Sequence, residues 1–153
     1  MKVISSIVLV ASAFAFSGSA SAQFAKPEDA IKYRKSALFV MQQHFGRVGA
    51  MANGRVPFDA KVIAENAAIA ESMSKLPWAG FVEGSDHGET RAKPEIWTEQ
   101  AKFKEASEKM MGEMAKLSVA TKTGNIDSIK AAVGAVGGSC KACHDAYQKK
   151  GVE

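Results

Sequence analysis

The sequence predicts an all-α protein that folds as an antiparallel four-helix bundle. Four segments repeat apolar residues at steps of three and four, which is the period of an amphipathic helix. Almost no stretch shows the two-residue alternation of a strand. Most connections between the four segments are short, and short connections favour antiparallel neighbours.

Residues 1–22 precede these segments and have the composition of a cleaved signal peptide. Lys2 supplies a positive charge, residues 3–16 are apolar apart from three serines, and Ala20-Ser21-Ala22 suits a signal peptidase. The apolar run is shorter than the ~20 residues that span a bilayer, so a membrane anchor is the weaker alternative. We therefore expect export, with residues 23–153 forming one mature domain.

The first predicted helix runs from Pro27 to Asn53. Pro27 suits the first helical position, and Glu28 and Asp29 suit the positive end of the helix dipole. Apolar residues occupy more than one face of this helix, as in the run 38–41. One face can serve the core, and the other predicts contact with a second copy of the chain in a homodimer.

Three further helices follow. The second is predicted from Asp59, as N-cap, to Pro77, and the third from about Pro94 to Thr123. The fourth begins at Asn125 and ends before Gly151, with a regular stripe of Ile126, Ile129, Val133, Val136, Cys140, Cys143 and Tyr147. The Gly-rich connection 77–93 is long, and loops of that length in small domains usually cover something or are mobile.

The charges are mixed along the chain. Twenty Lys and Arg residues oppose 16 Asp and Glu, and the net charge of +4 falls to +3 when Lys2 is removed with the leader. No basic cluster is dense enough for nucleic acid, so we expect a solvated mixed-charge surface and no nucleic-acid partner.

The residues with the clearest chemistry are Cys140, Cys143 and His144, in the sequence Cys-Lys-Ala-Cys-His. This is the attachment signature of c-type haem. Residues three apart share a helix face, so both thiols can reach the vinyl groups of one porphyrin edge, and His144 can ligate the iron. A thiol–disulfide motif would normally follow a strand, and a zinc site would need further ligands from His44 or His87.

The residues alone do not determine which group, if any, would ligate the iron on the side opposite His144. Only nine residues follow His144 and none is Met, so a sixth ligand would come from upstream. Methionine at helical spacing is more often core filler than a ligand. The candidates are Met41, Met51, Met73, Met110, Met111 and Met114, with His44 and His87 less favoured.

The whole mature chain resembles the class II c-type cytochromes, and the cytochrome c′ family in particular. The haem motif alone is shared by many cytochromes, but the combination of similar blocks is more specific. These blocks are Gln23 to Ala30, Tyr33 to Leu38, Leu76 to Phe81, Pro94 to Trp97, and Ser139 to Tyr147.

The resemblance implies one five-coordinate, high-spin haem c with an apolar distal pocket. Leu38 matches the family position over the iron, and Met41, Trp78 and Phe81 match its neighbours. The positions that would contact haem propionates are Arg34 and, with less support, Lys35, Thr90 and Arg91. Some relatives carry Arg or Lys four residues after the proximal His, where this chain has Gln148, so no detail of proximal gas binding is inferred from those relatives, while the implied haem attachment is unaffected.

We therefore expect a periplasmic protein that binds nitric oxide and carbon monoxide and exchanges electrons with redox partner proteins. It is not expected to be an enzyme, because no distal His and Arg pair is present to polarise peroxide. The alternative is a low-spin electron carrier whose sixth ligand is a methionine, with Met41 the nearest candidate.

Overall fold

The computed structural model describes residues 23–151, so the predicted signal peptide at 1–22 lies outside the described residues. Five helices follow in order, α1 (Pro27–Ala52), α2 (Ala60–Ser74), α3 (Glu95–Thr98), α4 (Gln100–Thr123) and α5 (Ile126–Tyr147), with a 3-10 turn at Pro77–Gly80. The long helices pack as α1 on α2, α2 on α4, and α4 on α5, and α5 closes back on α1. The predicted four-helix bundle is confirmed.

The ends of the helices follow from local chemistry. Asp59 caps α2 by accepting hydrogen bonds from the backbone N–H groups of Lys61 and Val62, at 2.9 and 3.0 Å. Asn125 caps α5 through a 2.9 Å bond from the Ser128 N–H. Gly124 ends α4 with a φ of 68°, in the left-handed region that glycine adopts freely.

Two predicted helices differ from the observed ones. The second ends at Ser74 rather than Pro77, because its last carbonyl accepts the Trp78 indole N–H at 2.7 Å and Pro77 starts the 3-10 turn. The predicted helix from Pro94 to Thr123 is broken at Glu99, whose φ of −117° and ψ of 42° are not helical. The short α3 is therefore a separate turn that precedes α4.

The core has two parts. The larger cluster fills the bundle between all four long helices; its buried members are Met41, Val48, Met51, Ala52, Ile63, Ala67, Ala70, Met110, Met114, Leu117, Ile129 and Val136. The smaller cluster lies at the end of α5 and contains Ala92, Ile96 and Tyr147, with Phe81, Trp97 and Phe103 packed against them. Between residues 23 and 151, no helix is long and apolar enough to cross a membrane.

Candidate haem site

The three residues of the attachment motif lie in the last two turns of α5. Cys140 packs against the larger cluster and Cys143 against the smaller one, so the two thiols lie between the two parts of the core. Both are free thiols and half-buried. The side chain of His144 is exposed, and no side chain of the described region hydrogen-bonds to its imidazole. Two unpaired thiols on one helix face beside a free imidazole fit the requirements of a covalently attached haem.

The electrostatics of the thiols disfavour the alternative of disulfide exchange. Burial raises the pKa of the Cys140 thiol, and a hydrogen bond from Ser139 opposes this only in part. Burial, together with the neighbouring Cys140, also raises the pKa of the Cys143 thiol. Thiol–disulfide catalysts need a lowered thiol pKa, so this pair lacks their defining property.

A zinc site lacks ligands in the described part of the chain. No group of three His, Cys, Asp or Glu residues there could hold a metal ion. His44 is hydrogen-bonded to the buried Asn66 of α2 at 2.8 Å, and His87 is exposed beside Asp86. Neither histidine joins Cys140 and Cys143.

The four residues predicted to line the distal side of the haem are apolar, and they lie in or against the two clusters of the core. Met41 is buried in the larger cluster, and Leu38 and Trp78 are packed against it. Trp78 stacks on Phe81, with ring centroids 6.1 Å apart and ring planes at 19°. The one polar hydrogen of this group, the Trp78 indole N–H, is already donated to Ser74.

Arg34 makes contacts that the sequence did not predict. It is only 2% exposed. One terminal nitrogen of its guanidinium donates to the Gly80 carbonyl and the Ser85 hydroxyl, both at 2.7 Å. The other donates to the Ser85 carbonyl at 2.6 Å and the Thr90 hydroxyl at 2.8 Å. These bonds use all four terminal N–H hydrogens, so the predicted propionate contact of Arg34 stays a prediction, with Nε–H as its remaining donor.

The electrostatic environment of Arg34 is that of a buried cation. Its guanidinium lies 4.6 Å from the ring centroid of Phe81 and 5.9 Å from that of Trp97. Burial lowers the pKa of Arg34, while the charge of Asp86 opposes this. Arg34 therefore ties the loop 80–90 to α1, one turn before Leu38.

The other three predicted propionate contacts also involve this loop. Lys35 donates its ammonium to the Glu89 carbonyl at 3.0 Å on the surface, and Thr90 is bonded to Arg34. Arg91 is exposed, and its carbonyl accepts the Lys149 N–H at 2.7 Å. Arg34, Lys35 and Thr90 thus converge on one loop, and their role toward a propionate stays a prediction.

Gly80 and Ser85 hold Arg34 in place, although no sequence pattern indicates this role. Ser85 is fully buried and accepts Arg34 through two oxygens. A Cβ on Gly80 would lie 2.7 Å from the Ala30 carbonyl oxygen and 2.8 Å from the Arg34 Cβ, so only glycine fits against α1. A Gly-rich loop signals such close approaches, but the sequence does not show which helix the loop meets.

A covalent haem motif at the end of a four-helix bundle defines a c-type cytochrome of the helical-bundle class. The chain belongs to the cytochrome c′ family, whose model, described as Cytochrome C', matches residues 29–148. Membership of this family implies a covalently bound haem c.

Individual relatives cover almost the whole described region. Cytochrome c' of Rubrivivax gelatinosus is 53% identical over 129 residues, which are 84% of this chain and all of that protein. Cytochrome c' of Alcaligenes xylosoxydans xylosoxydans is 49% identical over 128 residues, or 84% of this chain and 99% of the relative.

Solved structures of these proteins have the same fold. The crystal structure of the Rubrivivax gelatinosus protein has a TM-score of 0.80 at 52% identity and covers 83% of this chain and all of that one. A nitric oxide complex of a variant from Alcaligenes xylosoxidans also has a TM-score of 0.80, at 47% identity, and covers 84% of this chain and all of that one.

Proposed function

We propose that this protein carries one haem c, ligated by His144 alone, and binds nitric oxide and carbon monoxide at the vacant iron position in the periplasm. The observation that carries the proposal is the chemistry of Leu38, Met41, Trp78 and Phe81. These side chains are apolar, and the indole N–H of Trp78 is already used within the fold. Bound O2 would find no hydrogen-bond donor among them, whereas nitric oxide and carbon monoxide tolerate an apolar pocket.

Each protein group has a defined task in this proposal. The haem, when bound, supplies an iron that takes a diatomic ligand and changes its oxidation state. Cys140 and Cys143 would hold the porphyrin, His144 would ligate the iron, and Leu38 would keep water and anions away from it. The nitric oxide complex of a variant of the Alcaligenes relative supports the binding of nitric oxide. Redox cycling of the same iron would serve electron exchange with partner proteins, and we propose no enzymatic turnover.

The alternative is a low-spin carrier with Met41 as sixth ligand. Met41 is buried in the larger cluster among apolar side chains from all four long helices. This environment is typical of a core methionine, and it favours the five-coordinate proposal.

Visible and EPR spectroscopy of the ferric and ferrous holoprotein tests these two states. We expect high-spin spectra without added ligand, a nitrosyl complex on addition of nitric oxide, and unchanged resting spectra in Met41→Leu. Replacement of Leu38 by Ala should speed carbon monoxide binding roughly tenfold, about 1.4 kcal/mol in the barrier, because the smaller side chain opens the approach to the iron. Low-spin resting spectra that become high-spin in Met41→Leu would instead establish the alternative.

We also propose that the protein is a homodimer through α1 and α2. Phe39 is 60% exposed on α1, and Val40, Val62 and Ile69 are further exposed apolar residues on these two helices. The His44–Asn66 bond sets the antiparallel register and places Val40 close to the level of Ile69. An exposed apolar face of this kind on two adjacent helices is typical of a subunit contact.

A further inference from the structure

The last turn of α5 ends without any of the usual local caps. The final four carbonyls of a helix have no partner within the helix and must be satisfied from elsewhere. Many helices solve this with a left-handed glycine just past the end. Here Gln148 follows Tyr147 in an extended conformation, with φ −118° and ψ 129°. Its N–H bonds only to the His144 carbonyl, at 3.0 Å.

A single residue from another part of the chain satisfies the other three carbonyls. The Lys93 backbone N–H donates to the Tyr147 carbonyl at 3.0 Å. The Lys93 ammonium donates to the carbonyls of Asp145 and Ala146, at 3.0 and 3.1 Å. Lys93 thus caps the helix that carries the haem motif, and it places a positive charge at the negative end of the helix dipole.

Lys93 is itself held firmly. Its neighbour Ala92 forms an isolated antiparallel bridge with Gln148, and the Ala92 N–H donates to the Thr90 hydroxyl at 3.1 Å. The same hydroxyl accepts a hydrogen bond from Arg34 of α1. Pro94 follows Lys93 and leads into α3. The segment 90–93, here called the strap, therefore joins α1 to the end of α5.

We propose that Lys93 is a positioning residue for His144. His144 opens the turn that Lys93 closes, so the direction of its imidazole depends on that turn remaining helical. Neither the family motif nor the haem chemistry requires a lysine here; the role follows from the three capping bonds. The proposal rests on ligation by His144 as given under the proposed function.

The test compares three variants of the full holoprotein. Lys93→Met removes the two ammonium bonds but keeps the backbone bond to Tyr147, and Lys93→Arg keeps charge and donors. Lys149→Met is the matched control, because it removes the same charge from the residue that follows Gln148. Lys149 contacts the strap through its backbone N–H, which donates to the Arg91 carbonyl and is kept in the variant. Two quantities are measured. One is the frequency and width of the iron–histidine Raman band of the ferrous protein, and the other is the hydrogen-exchange rate of the Gln148 backbone N–H.

We expect Lys93→Met to shift and broaden the iron–histidine band and to speed exchange at Gln148 about fivefold, the size expected for loss of a C-terminal cap. Lys93→Arg should restore both, and Lys149→Met should match the wild type. Wild-type behaviour of both readouts in Lys93→Met, or equal changes in Lys149→Met, would overturn the proposal. A wild-type protein with no iron–histidine band would instead contradict the five-coordinate site, while exchange at Gln148 would still report on the cap.

Discussion

Arg34 is a buried cation whose hydrogen bonds fix the loop beside the candidate site. A buried cation is costly unless every polar hydrogen finds an acceptor. The Gly80 and Ser85 carbonyls and the Ser85 and Thr90 hydroxyls provide four such acceptors. The loop 80–90 is therefore held by the residue that lies one turn before Leu38.

Replacing Arg34 by Met should lower the free energy of unfolding by about 3 kcal/mol, because the buried Gly80 and Ser85 oxygens lose their donor. Denaturant unfolding of the holoprotein measures this loss. Lys35→Met is the control: its bond to Glu89 is exposed, so its effect should stay within about 0.5 kcal/mol. Equal effects of the two substitutions would contradict the role given to Arg34.

The residues of the haem-attachment motif could be recognised in the sequence, but the hydrogen-bond partners of Arg34 could not. Cys140, Cys143 and His144 are close in sequence, and their spacing defines their chemistry. Ser85 lies 51 residues from Arg34, inside a loop without periodicity. A pairing of this kind depends on the tertiary path of the loop, which no local pattern encodes.

At the scale of the elements, the break between α3 and α4 was hidden by the periodicity of the sequence. Ile96 and Phe103 are spaced as if on one helix, so a continuous helix was predicted. In the structure, Ile96 is buried in the smaller cluster, and Trp97 donates its indole N–H to the Val82 carbonyl at 3.0 Å. These tertiary contacts set the direction of α3 and outweigh the intrinsic helical preference of Glu99, because tertiary context commonly overrides helix propensity.

The contact between the 3-10 turn and α1 leads to a prediction about Gly80. Gly80→Ala should destabilise the holoprotein by about 1–3 kcal/mol, because the new methyl group would press on the Ala30 carbonyl and on Arg34. Thermal unfolding checks the effect.

Gly112→Ala supplies a control of opposite sign. Gly112 lies within α4, and a Cβ there would meet nothing within 4 Å, so alanine should stabilise the helix by up to ~1 kcal/mol. Destabilisation of the same size at both positions would show that the close approach of Gly80 to α1 is unimportant.

For the whole molecule, the four-helix bundle could be predicted because each long helix carries its own apolar stripe and end signals. Asp59 and Asn125 cap the starts of α2 and α5, and Gly124 caps the end of α4, as these residue types predict. The division of the core into two clusters could not be predicted, since the smaller one combines Ala92, Ile96 and Tyr147 from three separate segments.

The proposed dimer leads to a prediction about association. Phe39→Glu should weaken the dimer by about 2 kcal/mol, roughly 30-fold in the dissociation constant, because a charge would be buried in an apolar contact. Sedimentation equilibrium measures this change.

Val119→Glu is the matched control, since Val119 is 62% exposed, almost as much as Phe39, but lies on α4. A monomeric wild-type protein, or equal weakening by the two substitutions, would contradict the proposed interface.

The cap that Lys93 places on α5 also bears on the order of assembly. The two ammonium bonds join residues 52 and 53 positions apart, so the Lys93 cap on α5 forms only once the intervening chain has folded back on the helix. Until then, the carbonyls of Asp145, Ala146 and Tyr147 lack the Lys93 bonds, and only the local bond from the Gln148 N–H to the His144 carbonyl holds this end of the helix. The fold is thus compatible with an order of assembly in which the haem is attached to Cys140 and Cys143 first, and Lys93 of the strap caps α5 afterwards.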